Sequence, residues 1–478
     1  MARYITTTLP YVNADPHIGF AVEILQADAL VRSWRANGED VFFTTGTDEH
    51  GQKIFEAAEK AGQSVKDYVD HYAEEVHKLR ELLNLSTDAF IRTSDPAHYA
   101  AATEMWKRCD AAGDIYKKSY TGLYCVGCEA YKTERELEGD RCILHPTLTL
   151  EERTEENYFF RFSKYQDRLI EYLNRKDVII PDWRREEALN FVNGGLEDFS
   201  ISRDVQKLSW GIPVPGDPSH VMYVWFDALT SYISTLGWPD DQEGNFKKFW
   251  EEGTTLQVAG KDQVRFQSLM WQAMLMSLDI KNTDQVFYHG FINSGGQRMS
   301  KSTGNVISPY ELVEKYGTEA TRYLLLRHVH PTEDSDVTWE RLDEWYTANL
   351  VNGLGNLVAR VMKLAEEHLE EPVTLSPYDL RVEEEFTQKL QSLKFNEALD
   401  LVFDHVSKGD EYMTASEPYK KIKDEETRDQ AKIDIAKLVK HIAKIARHLA
   451  PILPTTHEAI LACVEENKKP ENLFPRLS

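Results

Sequence analysis

The sequence predicts an α/β protein: a parallel sheet, a segment inserted into it, and a helical C-terminal part. Three observations predict it. Short β-prone apolar runs alternate with amphipathic stretches near the N-terminus and again after residue 222. A cysteine-bearing stretch interrupts that alternation, and from about residue 349 apolar residues recur at helical spacing almost to the end.

Taken in order, Ile5 to Leu9 is expected to be the first strand, ended by Pro10. Ala21 to Arg35 should be a helix with Ile24, Leu25, Ala29 and Val31 among its apolar positions, and Val41 to Thr45 a buried strand before Gly46. Tyr158 to Phe162 reads as a strand of the insertion. Val221–Phe226, Leu256–Val258 and Val286–Tyr288 read as the returning strands. The helix Ile435 to Leu449 places Ile435, Leu438, Ile442, Ile445 and Leu449 on one face.

A length of 478 residues favours several domains, and an apolar share of 42% is enough for sizeable cores. No apolar run is long enough to span a bilayer. The N-terminus lacks the basic region, apolar stretch and cleavage site of a secretory signal, so a soluble, intracellular protein with no membrane association is expected. The net charge of −24 repels phosphates on average; any nucleic-acid contact must be concentrated in a local basic stripe. Five cysteines in such a chain exclude a disulfide scaffold.

Three motifs carry chemistry. Pro16-His17-Ile18-Gly19-Phe20 falls where a strand passes into a helix, a junction whose amides favour anions; alone, such a triplet is usually a turn. Arg298-Met299-Ser300-Lys301-Ser302, between Gly295-Gly296 and Gly304, puts two cations on a glycine-rich loop, suited to charge building on a leaving pyrophosphate. An exposed polar loop is the bland alternative. Cys125-Val-Gly-Cys128 and Cys142-Ile-Leu-His145 have the spacing of a four-ligand structural zinc site, against the alternatives of unpaired buried thiols or a disulfide. Cys109 and Cys463 have no such partners and are expected in cores.

His17-Ile18-Gly19 and Met299-Ser300-Lys301-Ser302, in this order, resemble the paired signatures of class I aminoacyl-tRNA synthetases. Leu9-Pro10-Tyr11-Val12-Asn13, Thr44 to Gly51, Ile201-Ser202-Arg203, Trp210-Gly211-Ile212-Pro213, Tyr223 to Ala228 and Gly260-Lys261-Asp262 are similar to phrases of the methionyl-tRNA synthetase family. The resemblance covers nearly the whole chain. It implies a class I synthetase Rossmann-like parallel sheet, a zinc-knuckle connective insertion and a helical anticodon-binding bundle. The boundaries expected are 1–94 and 223–291 for the two halves of the catalytic domain and 95–222 for the insertion. A stem-contact region with the KMSKS-like loop would occupy 292–348, and the helical domain 349–478.

The family's activity is activation of L-methionine by Mg-ATP and transfer to tRNA(Met), and the residue roles below are what the resemblance implies. His17, Gly19, Arg298 and Lys301 would serve the reaction. Phe20, Glu23, Gly260, Asp262, His289, Ile292, Ser300 and Lys301 would bind ATP. Leu9, Tyr11, Asp48, Trp225, Ala228, Leu229, Tyr232, Gln263 and Gln267 would bind methionine, Asp48 through its ammonium. Asn356, Arg360 and Tyr419 would read the anticodon, and Cys125, Cys128, Cys142 and His145 would hold structural zinc. Lys437, Lys440, Lys444 and Arg447 form a basic stripe that is either a solvated face or a phosphate track. The chain departs from the family at Phe20, in place of a second His, and at Gln263 and Gln267, where an apolar residue and a His are usual; a Gln amide can still reach sulfur or Tyr232. The rival readings are an editing isoleucyl-, leucyl- or valyl-type synthetase and a non-catalytic RNA-binding paralogue. The retained Asp48, His17 and Lys301 oppose the second. A cytoplasmic monomer is expected.

Overall fold

The computed structural model describes residues 2–241, 243–299 and 305–477. The chain divides into two compact units, one of Met1–Pro16, Asp40–Lys78 and Thr87–Tyr288, the other of His17–Glu39, Leu79–Ser86 and His289–Ser478. The elements that matter, in chain order, are β1 (Ala2–Thr6), α1 (Ile18–Ala36), β2 (Asp40–Thr47), α2 (Gln52–Ala61), β3 (Ala89–Arg92), α3 (Pro96–Ala111), β4 (Ile115–Cys125) and β5 (Glu151–Phe160). They continue with β6 (Ile179–Ile180), β7 (Asp217–Met222), α4 (Val224–Ser234), β8 (Thr254–Gly260), β9 (Gln285–His289) and α5 (Thr318–His328). The last are α6 (Asn356–His368), α7 (Phe395–Ser416) and α8 (Arg428–Leu449).

The first unit is built on a six-stranded sheet in the order β6-β9-β8-β1-β2-β3. β1 pairs in parallel with β2 and β8, β2 with β3, and β6 with β9. Ile5, Phe43, Val258, Phe287 and Tyr288 are buried along it, as befits strands covered on both faces. Gly46 is required in β2: a Cβ there would sit 1.9 Å from the Ile91 carbonyl oxygen of β3. The insertion is a long antiparallel ribbon of β4 and β5, in register from Ile115↔Phe160 to Tyr124↔Glu151, and Cys125 ends its first strand.

Two expectations are corrected. The first strand runs Ala2–Thr6 and not Ile5–Leu9, because past Thr7, which still bonds Thr44 and Thr45 of β2, Thr8–Pro10 leaves the sheet before a single bridge re-forms between Tyr11 and Asp48. Val221–Phe226 is not one returning strand. Its start belongs to β7, antiparallel to Ser202–Asp204 in a separate three-stranded sheet, and from Val224 the chain is helical. Val, Tyr, Trp and Phe look alike in a strand and in a helix buried all round. Here Val224, Phe226, Ala228, Leu229 and Ile233 are all buried, and Tyr223 is the extended cap.

The second unit is mostly helical. α1 begins earlier than expected because His17 caps it, its Nδ1 accepting from the Gly19 N–H at 3.0 Å. α8 buries the predicted face, and Val439, Ala443 and Ala446 widen it. Arg322 of α5 is fully buried and ties three segments together: it donates to Asp28 of α1 at 2.7 Å, to the Leu83 carbonyl at 2.9 Å and to the Ile452 carbonyl at 2.7 Å. Asp28 stays well ionised: burial opposes its charge, and Arg322 and Arg32 more than compensate. Asp28→Ala would strand a buried guanidinium and should cost about 3–5 kcal/mol in urea unfolding. Arg32→Ala, which removes the more exposed of the two cations on Asp28 and leaves Arg322 in place, should cost less than Asp28→Ala.

Candidate active site and metal cluster

Past the sheet's edge, the chain segments following β1 and β2 are stitched side by side: Asp48 N–H donates to the Pro10 carbonyl at 3.1 Å and Val12 N–H to the Asp48 carbonyl at 3.3 Å. This bridge sets Tyr11 beside Asp48. Tyr11 packs edge-on to Trp225 with centroids 6.2 Å apart, and Trp225 stacks on Phe266 at 3.9 Å and 12°. Trp225, Ala228, Leu229 and Tyr232 follow one another at helical spacing along α4. Gln267 is buried and its amide donates to the Tyr232 hydroxyl, while Tyr232's carbonyl accepts from Tyr4 at 2.8 Å. The departure at Gln267 therefore keeps a polar link to Tyr232. Gln263 instead lies half-buried beside Asp262, at 3.4 Å, and Leu9 is half-buried in the segment before the bridge.

Carboxylates crowd the turn after β2. Glu49 is saturated by Arg92 at 2.6 and 2.8 Å, Thr47 at 2.6 Å and Ser94 at 2.5 Å. Asp48, 2% exposed, accepts one long bond from the His50 N–H at 3.4 Å, and among the described residues no cationic side chain pairs with it. Burial, then the nearby charges of Asp227, Glu129 and Glu49, push its carboxyl well above the usual range. A buried carboxyl in this condition is neutralised either by a proton or by a cation from outside the chain.

The second unit carries the residues expected around the nucleotide. The His17 imidazole folds back over the start of α1, and only a glycine at 19 permits this, since a Cβ there would meet the ring at 2.7 Å. Glu23 pairs with His289 at 2.9 Å, and the other nitrogen of His289 faces the Gly290 carbonyl at 2.8 Å. Phe20 and Ile292 are buried, at 7% and 5% exposure. The Arg298 backbone pairs with Asn293 in a hairpin; Ser300, Lys301 and Ser302 lie outside the described residues. In the first unit, Gly260 ends β8 and Asp262 is exposed in the turn that follows.

In the helical region Asn356 opens α6, and Arg360, one turn on, pairs with Asp410 of α7 at 3.1 Å. Tyr419 is 37% exposed. Two cations of the basic stripe are engaged by acids of the same unit, Lys440 by Asp379 at 3.0 Å and Lys444 by Glu383 at 2.5 Å, which weakens the stripe as a phosphate track. Burial opposes the Glu383 charge, but Lys444 and His405 bring its carboxyl down to about 2.

Cys125, Cys128, Cys142 and His145 converge, with every ligand atom within 4.8 Å of the others. Cys128 Sγ lies 3.5 Å from Cys142 Sγ and 3.2 Å from His145 Nδ1, and Cys125 Sγ lies 3.9 Å from that nitrogen. Gly127 makes the approach possible, since a Cβ would fall 2.5 Å from the imidazole. Three thiols and an imidazole so placed can hold a metal ion. Sequence reasoning assigned nothing to His98, Arg92 or Glu129. His98 lies in no motif, and only the tertiary fold brings it to the site.

Parallel sheet, interrupted second half, His-Ile-Gly helix start and inserted cysteine cluster define a class I tRNA synthetase. The chain belongs to that family, and within it to the methionine–tRNA ligases: the model described as tRNA synthetases class I (M) matches residues 3–147 and 136–362. It is 40% identical over 472 residues to the methionine–tRNA ligase of Thermosynechococcus vestitus, covering 95% of this chain and 88% of that protein. It is 39% identical over 473 residues to that of Brucella suis, covering 96% and 90%. The methionyl-tRNA synthetase of Mycobacterium tuberculosis in complex with methionyl-adenylate superposes with a TM-score of 0.90 at 34% identity, over 100% of this chain and 99% of that one.

Cobalt-substituted protein should show thiolate-to-metal charge-transfer absorption and tetrahedral d–d bands, and Cys142→Ser should weaken both. An octahedral spectrum would refute the four-ligand arrangement.

Proposed function

We propose that this chain activates L-methionine with Mg-ATP and transfers it to tRNA(Met). The observation that carries the reading is the buried Asp48 carboxylate, paired with no cationic side chain among the described residues, beside the rings of Tyr11 and Trp225, with Tyr232 two turns along the same helix; we assign the thioether to a slot among them. An α-ammonium would neutralise Asp48, and a thioether packs well against aromatic edges. Ala228 and Leu229 narrow the slot, Leu9 borders it, and Gln267 fixes Tyr232 at its floor; Gln263 is assigned to its rim.

Attack of the methionine carboxylate on the α-phosphate brings two anions together, so the protein's contribution is orientation and charge neutralisation. On the nucleotide side, we assign His17 and Gly19 to the phosphates with Arg298, Ser300 and Lys301. Phe20, Glu23, His289 and Ile292 are assigned to the adenosine, and Gly260 and Asp262 to the ribose. No enzyme nucleophile is needed, and magnesium enters with the ATP. The Cys3His cluster fits structural zinc: the four-donor set leaves no open position, and its thiols stay reduced in the cytoplasm, where tRNA is charged. Asn356, Arg360 and Tyr419 are assigned to the anticodon, with Tyr419 offering a stacking face.

ATP–pyrophosphate exchange across the standard amino acids should respond to methionine alone; exchange with another amino acid and not methionine would overturn the reading. Asp48→Asn should lower kcat/KM for methionine by about 30-fold or more, since truncating a buried charge pair costs roughly 2–5 kcal/mol. Methionine use should fall on acidification at a higher pH than for an ordinary carboxylate, because the raised Asp48 proton affinity neutralises the ammonium's partner early. Tyr419→Ala should reduce tRNA charging about tenfold, one lost stack being worth roughly 1–3 kcal/mol, and leave exchange unchanged.

A further inference from the structure

Directly behind Asp48 lies a second acid that the reaction as described does not use. Asp227 of α4 is fully buried, and each of its oxygens faces one imidazole: Oδ2 is 3.2 Å from His50 Nδ1 and Oδ1 is 3.6 Å from His98 Nε2. The opposite nitrogen of each ring faces a hydroxyl, Tyr99 at 3.1 Å for His50 and Ser234 at 3.0 Å for His98. Both hydroxyls can donate. Each ring can therefore carry a proton on the nitrogen nearer Asp227, although neither contact has hydrogen-bond geometry in this structure. The contrast with Glu49 is one of geometry: the bidentate Arg92 pairs with that carboxylate at 2.6 and 2.8 Å, whereas the Asp227 oxygens meet ring nitrogens at 3.2 and 3.6 Å.

We propose that Asp227, held between His50 and His98, is a positioning residue for amino-acid binding, its retained charge deepening the negative potential at Asp48 for a substrate ammonium. This rests on the reading that Asp48 takes that ammonium. Asp227 reaches Asp48 along two routes. One runs through His50, which contacts Asp227 through its ring and Asp48 through its backbone N–H at 3.4 Å. The other is Coulombic. Burial opposes the charge of both acids, yet the His50 and His98 contacts keep Asp227 below the usual carboxylate range, while Asp227 raises Asp48. The other charged or titratable groups facing Asp48 are Glu49 and His50 of its own turn, Glu129 after β4 and Tyr11 across the bridge. Lys53 and Arg203 act on Glu129.

The same negative field that favours an ammonium also favours a proton on Asp48, and this competition provides the test. In the full-length protein, Asp227→Asn should raise the KM for methionine by about tenfold or more and leave the KM for ATP within about twofold. It should also move the acid limb of kcat/KM for methionine to lower pH by about half a unit or more, because a like charge beside Asp48 is gone. His98→Leu keeps the carboxylate but removes one of its two imidazole neighbours, so Asp227 loses its charge earlier on acidification and the acid limb should move in the same direction as in Asp227→Asn, by less. A group that merely holds the fold together would not produce this graded shift. Folded Asp227→Asn with an unchanged methionine KM and acid limb would overturn the proposal, as would a loss of kcat alone. If that variant does not fold, His98→Leu decides: a shift of the limb to lower pH supports the proposal, and an unmoved or raised limb refutes it. Wild-type protein that fails to activate methionine would instead overturn the reading of the site itself.

Discussion

Asp48 is the constraint around which the first unit is organised. A carboxylate at 2% exposure with no cationic partner among the described residues is costly, and the surrounding structure holds it in place. The Tyr11–Asp48 bridge fixes its backbone beyond the end of the sheet. Gly46 lets β2 lie close enough to β3 to bring Arg92 alongside Glu49, so that the next acid along the chain is neutralised and does not compete for the same cation. Asp227 is served by imidazoles. Of these three acids, Asp48 is the one with no side-chain partner among the described residues.

The second unit solves its buried charge in the opposite way. Asp28 and Arg322 satisfy each other and two carbonyls within the protein, leaving nothing for a ligand. Partner counting thus separates a structural ion pair from a binding group even though both carboxylates are fully buried. The same count disciplines the basic stripe of α8: a net charge of −24 means that cations are scarce, and two of the four stripe residues already serve Asp379 and Glu383.

What was legible in the sequence was local. The cysteine pairs could be read because ligand spacing within a knuckle is short-range, and α8 because its periodicity runs over four turns. The class of fold followed from alternation, and the site residues from phrases that resemble a family. Val221–Phe226 was misread because apolar content does not distinguish a strand from a helix buried on every side. The length of β1 was misread because Leu9, though apolar, lies in a segment that leaves the sheet. His98 and Arg92 were invisible for a different reason. Each acquires its place in the site through an acid more than forty residues away, Glu49 for Arg92 and Asp227 for His98, and no spacing encodes that.

Glu129 shows how the knuckle and the pocket share one frame. It follows Cys128 directly, with φ at +52°, and is buried at 3% exposure. Its carboxylate accepts from the Lys53 N–H at 2.7 Å, in the first turn of α2, a helix whose own cap, Gly51, has no side chain to offer. Gly51 takes φ +110°, and a Cβ there would lie 2.8 Å from Glu129 Oε2. The turn from Asp48 to Gly51 therefore runs into a helix whose start is held by the residue next to a metal ligand, and Arg203 secures the same residue through its carbonyl at 2.8 Å. An ion held by the four-ligand knuckle would fix the backbone at Cys128, and through Glu129 the helix that ends the Asp48 turn. On the proposed reading of Asp48, a purely structural metal would in this way bear on amino-acid binding without touching the amino acid.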